Sequence, residues 1–221
     1  MLGNLWRKLS ASFSIPRRLN FLRGSPPKGK QSRADRFRPT VEALDDRTLP
    51  SGFSLGSGAF GEGRSIPIQF ASSQRGSNQS PPLKWKDPPA GTMSFALLMD
   101  DPDAPGGTFN HWVLFDLPAN TLALPARIPR RAALPNGALQ GTNENGEIGY
   151  LGPNPPRRQR HTYVFRVFAL DTPQLTLTLV PGIQIPLGAG ATKPELLFAM
   201  AGHVLDQAPL RGTFKRLFSR S

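Results

Sequence analysis

Two histidines of the chain each stand between a turn rich in proline and glycine and an apolar run with aromatic residues. The turn Asp101–Gly107 precedes His111, and the turn Gly149–Pro156 precedes His161. Proline fixes the backbone, glycine lets a backbone approach a ligand closely, and imidazole N–H groups donate hydrogen bonds. Taken singly, either histidine is typical of a structural residue. Because the arrangement occurs twice, it predicts two rigid walls of one pocket whose histidines donate to a small oxyanion.

The acidic residues of the first turn restrict how such a pocket would work. Asp101 and Asp103 would repel an anion unless they orient a histidine as a protonated donor or accept from an amino group on the ligand. If the imidazolium form binds the anion, affinity should rise as the pH falls through about 6.5, the ordinary pKa of histidine.

Two familiar ligand loops fit the sequence poorly. Gly56–Gly61 matches the dinucleotide pattern G-x-G-x-x-G, but no apolar strand precedes it and Arg64–Pro67 cannot open a helix after it. The first turn begins like a calcium loop, but Trp112 occupies its twelfth position, where a bidentate glutamate is needed. We therefore interpret the former as a flexible loop and discard the calcium site.

A small hydrolase is the alternative from a different functional class, with aspartate and histidine of the same pocket as acid and base. The sequence has no G-x-S-x-G elbow and pairs no serine with either histidine, so no activated nucleophile is visible. A mononuclear metal site built from His111, His161 and the acids is a further alternative. The leading prediction is a binding protein without a cofactor. The third histidine, His203, is interpreted as a structural residue within a helix.

Composition favours a β-rich fold. The 221 residues include 24 prolines and 22 glycines, with 38% hydrophobic and 19% charged residues, which indicates many short elements joined by turns. The chain has no cysteine, so disulfides and thiolate metal sites are excluded. Of the net charge of +12, +7 lies in residues 1–50 rather than in a basic patch with interleaved aromatics, so nucleic acid is an unfavoured partner.

The basic, proline-rich arm of residues 1–50 is predicted to be mostly disordered. Residues 38–51 resemble a leader-like segment found ahead of many exported bacterial proteins, with a charged helical turn in a linker as the alternative. No run approaches the ~18 apolar residues of a membrane-spanning helix, and arginines interrupt any secretory hydrophobic run. The location stays open between cytoplasmic and exported, and the arm is a candidate contact for a protein partner or an anionic membrane.

From Ile66 onward, short apolar runs alternate with turn residues at intervals typical of a β-sandwich or barrel. The run Tyr163–Leu170 is largely apolar on both faces, which predicts a central strand. The predicted strands are Ile66–Phe70, Ser94–Met99, Trp112–Leu117, Tyr163–Leu170 and Leu175–Val180.

One helix is predicted near the C-terminus. Its start is marked by Thr192 and Glu195 at capping-box spacing and by Pro194 in the first turn. Its apolar stripe comprises Leu196, Leu197, Met200, Ala201, Val204 and Leu205.

The two histidine segments resemble the phosphatidylethanolamine-binding protein family, in particular its bacterial branch described as Raf-kinase-inhibitor-like. The resemblance rests on Asp-Pro-Asp-Ala-Pro followed by His-Trp, and on Gly-Tyr-x-Gly-Pro-x-Pro-Pro followed by His-x-Tyr-x-Phe. It begins near Phe53, includes Asn78–Trp85 and Pro89–Leu97, and continues to Gly212–Arg216. Only the N-terminal arm falls outside it.

The resemblance implies a mainly β fold, a single sandwich-like domain over residues 51–221 with a few peripheral helices. It also implies a small cavity for phosphate, acetate or a phospholipid head group. The amine of an ethanolamine-like head group would donate to Asp101 and Asp103. A regulatory role toward a partner protein is implied as well. The residues carried over to the cavity are Asp101, Asp103, Pro105, His111, Gly152, Pro153, His161 and Tyr163, with Trp85 close by. Where many relatives have an Asp-Gly pair before Asn78, this chain has Arg75 and no acid, which would attract anions if that loop lies at the cavity mouth.

Overall fold

The computed structural model describes residues 52–180 and 182–216. The predicted arm of residues 1–50, its leader-like part at 38–51 and residues 217–221 therefore lie outside the described residues.

The described chain is mainly β, as predicted. It contains one short 3-10 helix, Ile68–Phe70, and one α-helix, α1, Lys193–Met200. The strands are β1 (Ser54–Gly56), β2 (Arg64–Ser65), β3 (Leu83–Lys86), β4 (Ser94–Asp101), β5 (Phe109–Pro118), β6 (Ala123–Leu124), β7 (Leu139–Gln140), β8 (Arg160–Leu170), β9 (Thr176–Val180), β10 (Ile183–Pro186) and β11 (Val204–Lys215).

The main sheet has six strands in the order β2-β11-β8-β4-β5-β7, and a smaller sheet has the order β1-β3-β6. A core cluster joins the two sheets, and Trp85 of β3 meets Phe95 of β4 edge-on at 5.4 Å between ring centroids. The other face of the main sheet is covered by a second cluster that includes α1. Every residue of β4 is buried, because both faces of this strand lie in a core.

Four of the five predicted strands are present. As predicted, Tyr163–Leu170 belongs to a central strand, since β8 lies between β11 and β4. The Ile66–Phe70 strand prediction is wrong: only Arg64 and Ser65 pair with β11, and a 3-10 turn follows Pro67. Proline fixes φ and cannot donate to a strand ladder, so the pairing ends there.

Helix α1 begins as predicted and ends earlier. The capping box of Thr192 and Glu195 is formed, with the Thr192 N–H donating to Glu195 Oε2 over 2.7 Å. After Met200 the chain turns through Gly202, whose φ of 85° is left-handed, so Val204 and Leu205 begin β11 instead of extending the helix.

His203 is placed differently from its prediction. It lies after the helix rather than within it, and its Nδ1 is 2.8 Å from Asp171 Oδ1. The prediction that it lies within the helix is therefore wrong. No helix in residues 52–180 and 182–216 has the length and apolar character to cross a membrane.

Candidate functional site

A cavity of about 490 Å³ opens where β4 ends and β5 and β8 begin. β4 pairs antiparallel with both β5 and β8. The end of β4 therefore lies beside the starts of the other two strands, at one end of the sheet. Six sequence-predicted residues line it, namely Asp101, Pro105, His111, Gly152, His161 and Tyr163. The two histidine segments therefore form walls of one cavity.

The other three predicted residues do not line the cavity. The Asp103 carboxylate accepts from the Thr162 N–H over 2.7 Å, which ties the first turn to the start of β8. The Pro153 carbonyl accepts from the Ser72 N–H over 3.1 Å and so supports the wall from behind. Trp85 is buried in the core cluster between the two sheets and does not line the cavity.

Asp101 orients His161. Both side chains are buried, and Nδ1 of the imidazole donates to Asp101 Oδ2 over 2.7 Å. The other carboxylate oxygen accepts from the Asp103 N–H over 2.9 Å. On the far side of the ring, Nε2 lies 3.0 Å from Oε1 of Gln159, an exposed residue. Two acceptor oxygens thus face the two ring nitrogens, an arrangement that a doubly protonated imidazole satisfies.

His111 has a different role from the donor that the sequence predicts. Burial lowers its pKa, against opposing effects of the hydrogen bond to the Leu151 carbonyl and of the charge of Asp101. Its Nδ1 donates to that carbonyl over 2.8 Å. The ring is therefore neutral at neutral pH, and its Nε2 is a hydrogen-bond acceptor. It packs edge-on against Tyr163, with centroids 5.2 Å apart.

The hydroxyl groups of Tyr163 and Ser72 are buried at the cavity, and neither makes a hydrogen bond of good geometry with the described residues. Asp101 and the Asn154 backbone lie near the phenol. Burial, followed by the negative charge of Asp101, raises the pKa of Tyr163, so the phenol stays protonated and is a donor. Buried polar groups are nearly always paired in folded proteins. Both hydroxyls are thus candidates for donating to a ligand.

The second wall packs closely on the loop that follows Phe70. A Cβ on Gly152 would lie 2.3 Å from the Phe70 carbonyl oxygen and 2.6 Å from the Ser72 nitrogen, so only glycine allows this approach. The Gly152 N–H donates to Asn78 Oδ1 over 2.7 Å. The loop that carries Arg75 therefore lies at the cavity and brings Ser72 into it.

Arg130 and Glu147 also line the cavity and form an ion pair of 2.7 Å between Nη2 and Oε2. Sequence reasoning missed them, and it also missed Ser72. Arg130 lies in a stretch without regular structure or motif, so no pattern indicated it. Ser72 belongs to the loop before Asn78, where this chain has Arg75 in place of the acid of many relatives. That difference was the signal that could have pointed to Ser72.

Within the described residues, no group of three or more histidine, cysteine, aspartate or glutamate side chains is placed to hold a metal ion. The titratable groups of the cavity are instead paired in the Asp101–His161 and Arg130–Glu147 contacts.

Known proteins are similar to this chain in sequence and in fold. The family model for phosphatidylethanolamine-binding protein matches residues 56–215. A UPF0098 protein of Methanothermobacter thermautotrophicus is 41% identical over 163 residues, covering 74% of this chain and 99% of the relative. The UPF0098 protein YbhB of Escherichia coli is 45% identical over 141 residues, covering 63% and 83%.

Two solved structures are similar in fold. The Chlamydia trachomatis protein CT736, described as a putative homologue of phosphatidylethanolamine-binding protein, has a TM-score of 0.61 and 35% identity over 75% of this chain and 99% of that one. The Escherichia coli protein YbcL, described as a member of the mammalian family, has a TM-score of 0.65 and 30% identity over 74% and 98%. The chain therefore belongs to the phosphatidylethanolamine-binding protein family.

Proposed function

We propose that the cavity reversibly binds a small ligand through a phosphate or carboxylate group. The observation that carries the proposal is the pair of buried hydroxyls of Tyr163 and Ser72, neither in a hydrogen bond of good geometry, beside the His161 ring that Asp101 holds. An anion with several oxygens accepts from all three groups at once, and hydrogen bonds that involve charged groups are stronger than neutral ones.

The acids of the first turn fit this role. Both oxygens of Asp101 already accept hydrogen bonds, from His161 and from the Asp103 N–H, so its charge is largely compensated. The anion replaces Gln159 at Nε2 of His161, and this replacement is feasible because Gln159 is exposed. Neutral His111 offers an acceptor to a ligand O–H or ammonium group. A phosphate ester of an amino alcohol, as in a phospholipid head group, combines both kinds of group.

Binding rather than turnover is proposed because the described residues contain no activated nucleophile at the cavity. The Ser72 hydroxyl has no hydrogen bond to either imidazole, and an activated serine requires such a base. Release of product from chromogenic phosphate or acetate esters, abolished by His111→Ala, would establish the hydrolase instead. Docking of residues 1–50 on a protein partner or an anionic membrane remains a prediction, because those residues lie outside the described part.

The proposal is tested by calorimetric titration with inorganic phosphate and with acetate. We expect one site, and about five- to tenfold weaker binding in Ser72→Ala and in His161→Gln, since each change removes one hydrogen bond to a charged group. Ser94→Ala is the matched control, because Ser94 is buried at the opposite end of β4 and donates to the Thr172 carbonyl. Affinities equal to the wild type in both cavity variants, or no binding of either anion, would overturn the proposal.

The same titration tests the charge state of His161. Acetate affinity should rise between about pH 8 and pH 5.5 if the imidazolium donates to the anion, and His161→Gln should abolish the rise. Affinity independent of pH in the wild type would contradict the imidazolium role.

A further inference from the structure

Three segments of the chain meet at one side of the cavity mouth, and each carries an arginine. The first is the tight turn after Ser72, in which the Arg75 N–H donates to the Ser72 carbonyl over 2.8 Å. Ser72, Ser73 and Gln74 of this turn all line the cavity, so Arg75 directly follows the lining residues. Asn154 Nδ2 donates to Gln74 Oε1 over 3.2 Å, which links the turn to the second segment.

Arg157 and Arg216 come from the other two segments. Arg157 follows Pro156, a cavity-lining residue whose carbonyl accepts from the Gln159 N–H over 3.1 Å. The Gln159 carbonyl in turn accepts from the Arg216 N–H over 3.3 Å. Hydrogen bonds therefore tie the turn at Arg75 to the segment 154–159, and that segment to Arg216, the residue after β11.

The charges of Arg75 and Arg157 act on the guanidinium of Arg216. Partial burial, and then the charges of Arg75 and Arg157, lower the pKa of Arg216. None of the three is paired with a carboxylate of the described residues, whereas Arg130 and Arg211 both are. The Nε of Arg75 is buried and has no hydrogen-bond acceptor in residues 52–180 and 182–216. Three neighbouring guanidiniums that pair with no carboxylate of residues 52–180 and 182–216 attract an anion.

We propose that Arg75, Arg157 and Arg216 form a second anion subsite, so that the ligand of the cavity carries two anionic groups, as a diphosphate or bisphosphate does. This inference rests on the proposed function, because the first anionic group occupies the cavity and the second lies at its mouth. Arg75 and Arg216 are partly buried, and Arg157 is exposed. A flat membrane surface would reach such side chains poorly, whereas a small polyanion that continues out of the cavity contacts them directly.

The test compares pyrophosphate with inorganic phosphate by calorimetric titration of the full chain. We expect pyrophosphate to bind about tenfold more tightly than phosphate at low salt, and this preference to shrink as salt screens the exposed part of the subsite. Arg75→Gln, Arg157→Gln and Arg216→Gln should each weaken pyrophosphate binding about threefold and change phosphate binding less than about twofold. The triple variant should bind the two ions equally. Arg211→Gln is the matched control, because Arg211 is exposed and paired with Glu62.

The outcomes separate the two proposals. Phosphate binding that depends on Ser72 and His161, without any preference for pyrophosphate, would overturn the second subsite and leave the cavity function intact. Absence of binding by either ion would overturn the cavity function itself. Binding to vesicles that contain phosphatidylglycerol, lost in the triple variant and without a preference for pyrophosphate, would assign the arginines to a membrane and overturn the subsite.

Discussion

Asp100 and Asp101 are consecutive residues at the end of β4, and both are buried, but they face opposite sides of the sheet. Asp100 meets Lys193 Nζ at 2.8 Å, Arg166 Nη1 at 3.5 Å and Asn110 Nδ2 at 3.1 Å. Asp101 meets one imidazole and one backbone N–H.

The same division occurs on β5, where Asn110 pairs with Asp100 while His111 lines the cavity. Successive side chains of a strand alternate between its faces, so two adjacent polar residues on each strand supply two separate sites. On the α1 face, two cations of the chain neutralise the carboxylate. On the cavity face, two buried hydroxyls and a histidine remain, which is the difference between a structural ion pair and the proposed binding site.

The largest expected effect breaks the structural side. Asp100→Ala removes the partner of Lys193, whose side chain is mostly buried. Removing one member of a buried ion pair lowers the stability of the fold considerably. We expect a loss of about 2–3 kcal/mol in the free energy of unfolding, reduced from the fully buried case because Arg166 is partly exposed. Chemical denaturation measures it, and phosphate affinity should stay within about twofold.

Asp171→Ala is the control for that change, since its pair with His203 is exposed and should contribute less than about 0.5 kcal/mol. If Asp100→Ala weakened phosphate binding as much as His161→Gln does, the two faces of the sheet would not be independent, and the comparison would fail.

A smaller effect concerns the pH dependence of the cavity side. Because the pKa of folded His111 is lowered, the unfolded chain takes up this proton first as the pH falls. His111 should therefore make stability decline below about pH 6.5, by at most about 1.4 kcal/mol per pH unit. Asp101, Asp100 and His161 also act on His111 through their charges, so the quantity to measure is the difference in unfolding free energy between the wild type and His111→Gln. A difference that is constant from about pH 7 to 5 would show that His111 is not held neutral.

Much of the fold and of the site was predictable from local pattern. The strands Ser94–Met99 and Tyr163–Leu170 were predictable because long apolar runs have no other stable placement, and the histidine segments because their residue types are unusual together. Trp85 was misplaced because a tryptophan buried in a core and one beside a cavity have the same sequence signal.

The remaining differences depend on long-range contacts. Arg130 joins the cavity through its pairing with Glu147, and Ser72 joins it through packing against Gly152, neither of which has a local signature. In the sequence, Val204 and Leu205 continue the helical spacing of the apolar stripe. In the structure a turn at Gly202 ends the helical region, and these two residues begin β11.

In the proposed complex the Tyr163 hydroxyl donates to the anion, and Tyr150, the chain's only other tyrosine, provides the comparison. Tyr150 is equally buried, but its hydroxyl donates to the Phe70 carbonyl over 2.8 Å. We predict that Tyr163→Phe weakens phosphate binding about tenfold without loss of stability, whereas Tyr150→Phe costs about 1 kcal/mol of stability and leaves affinity within about twofold. Calorimetric titration of the two variants with phosphate measures this directly. Equal phosphate affinity in the wild type and Tyr163→Phe would contradict the account.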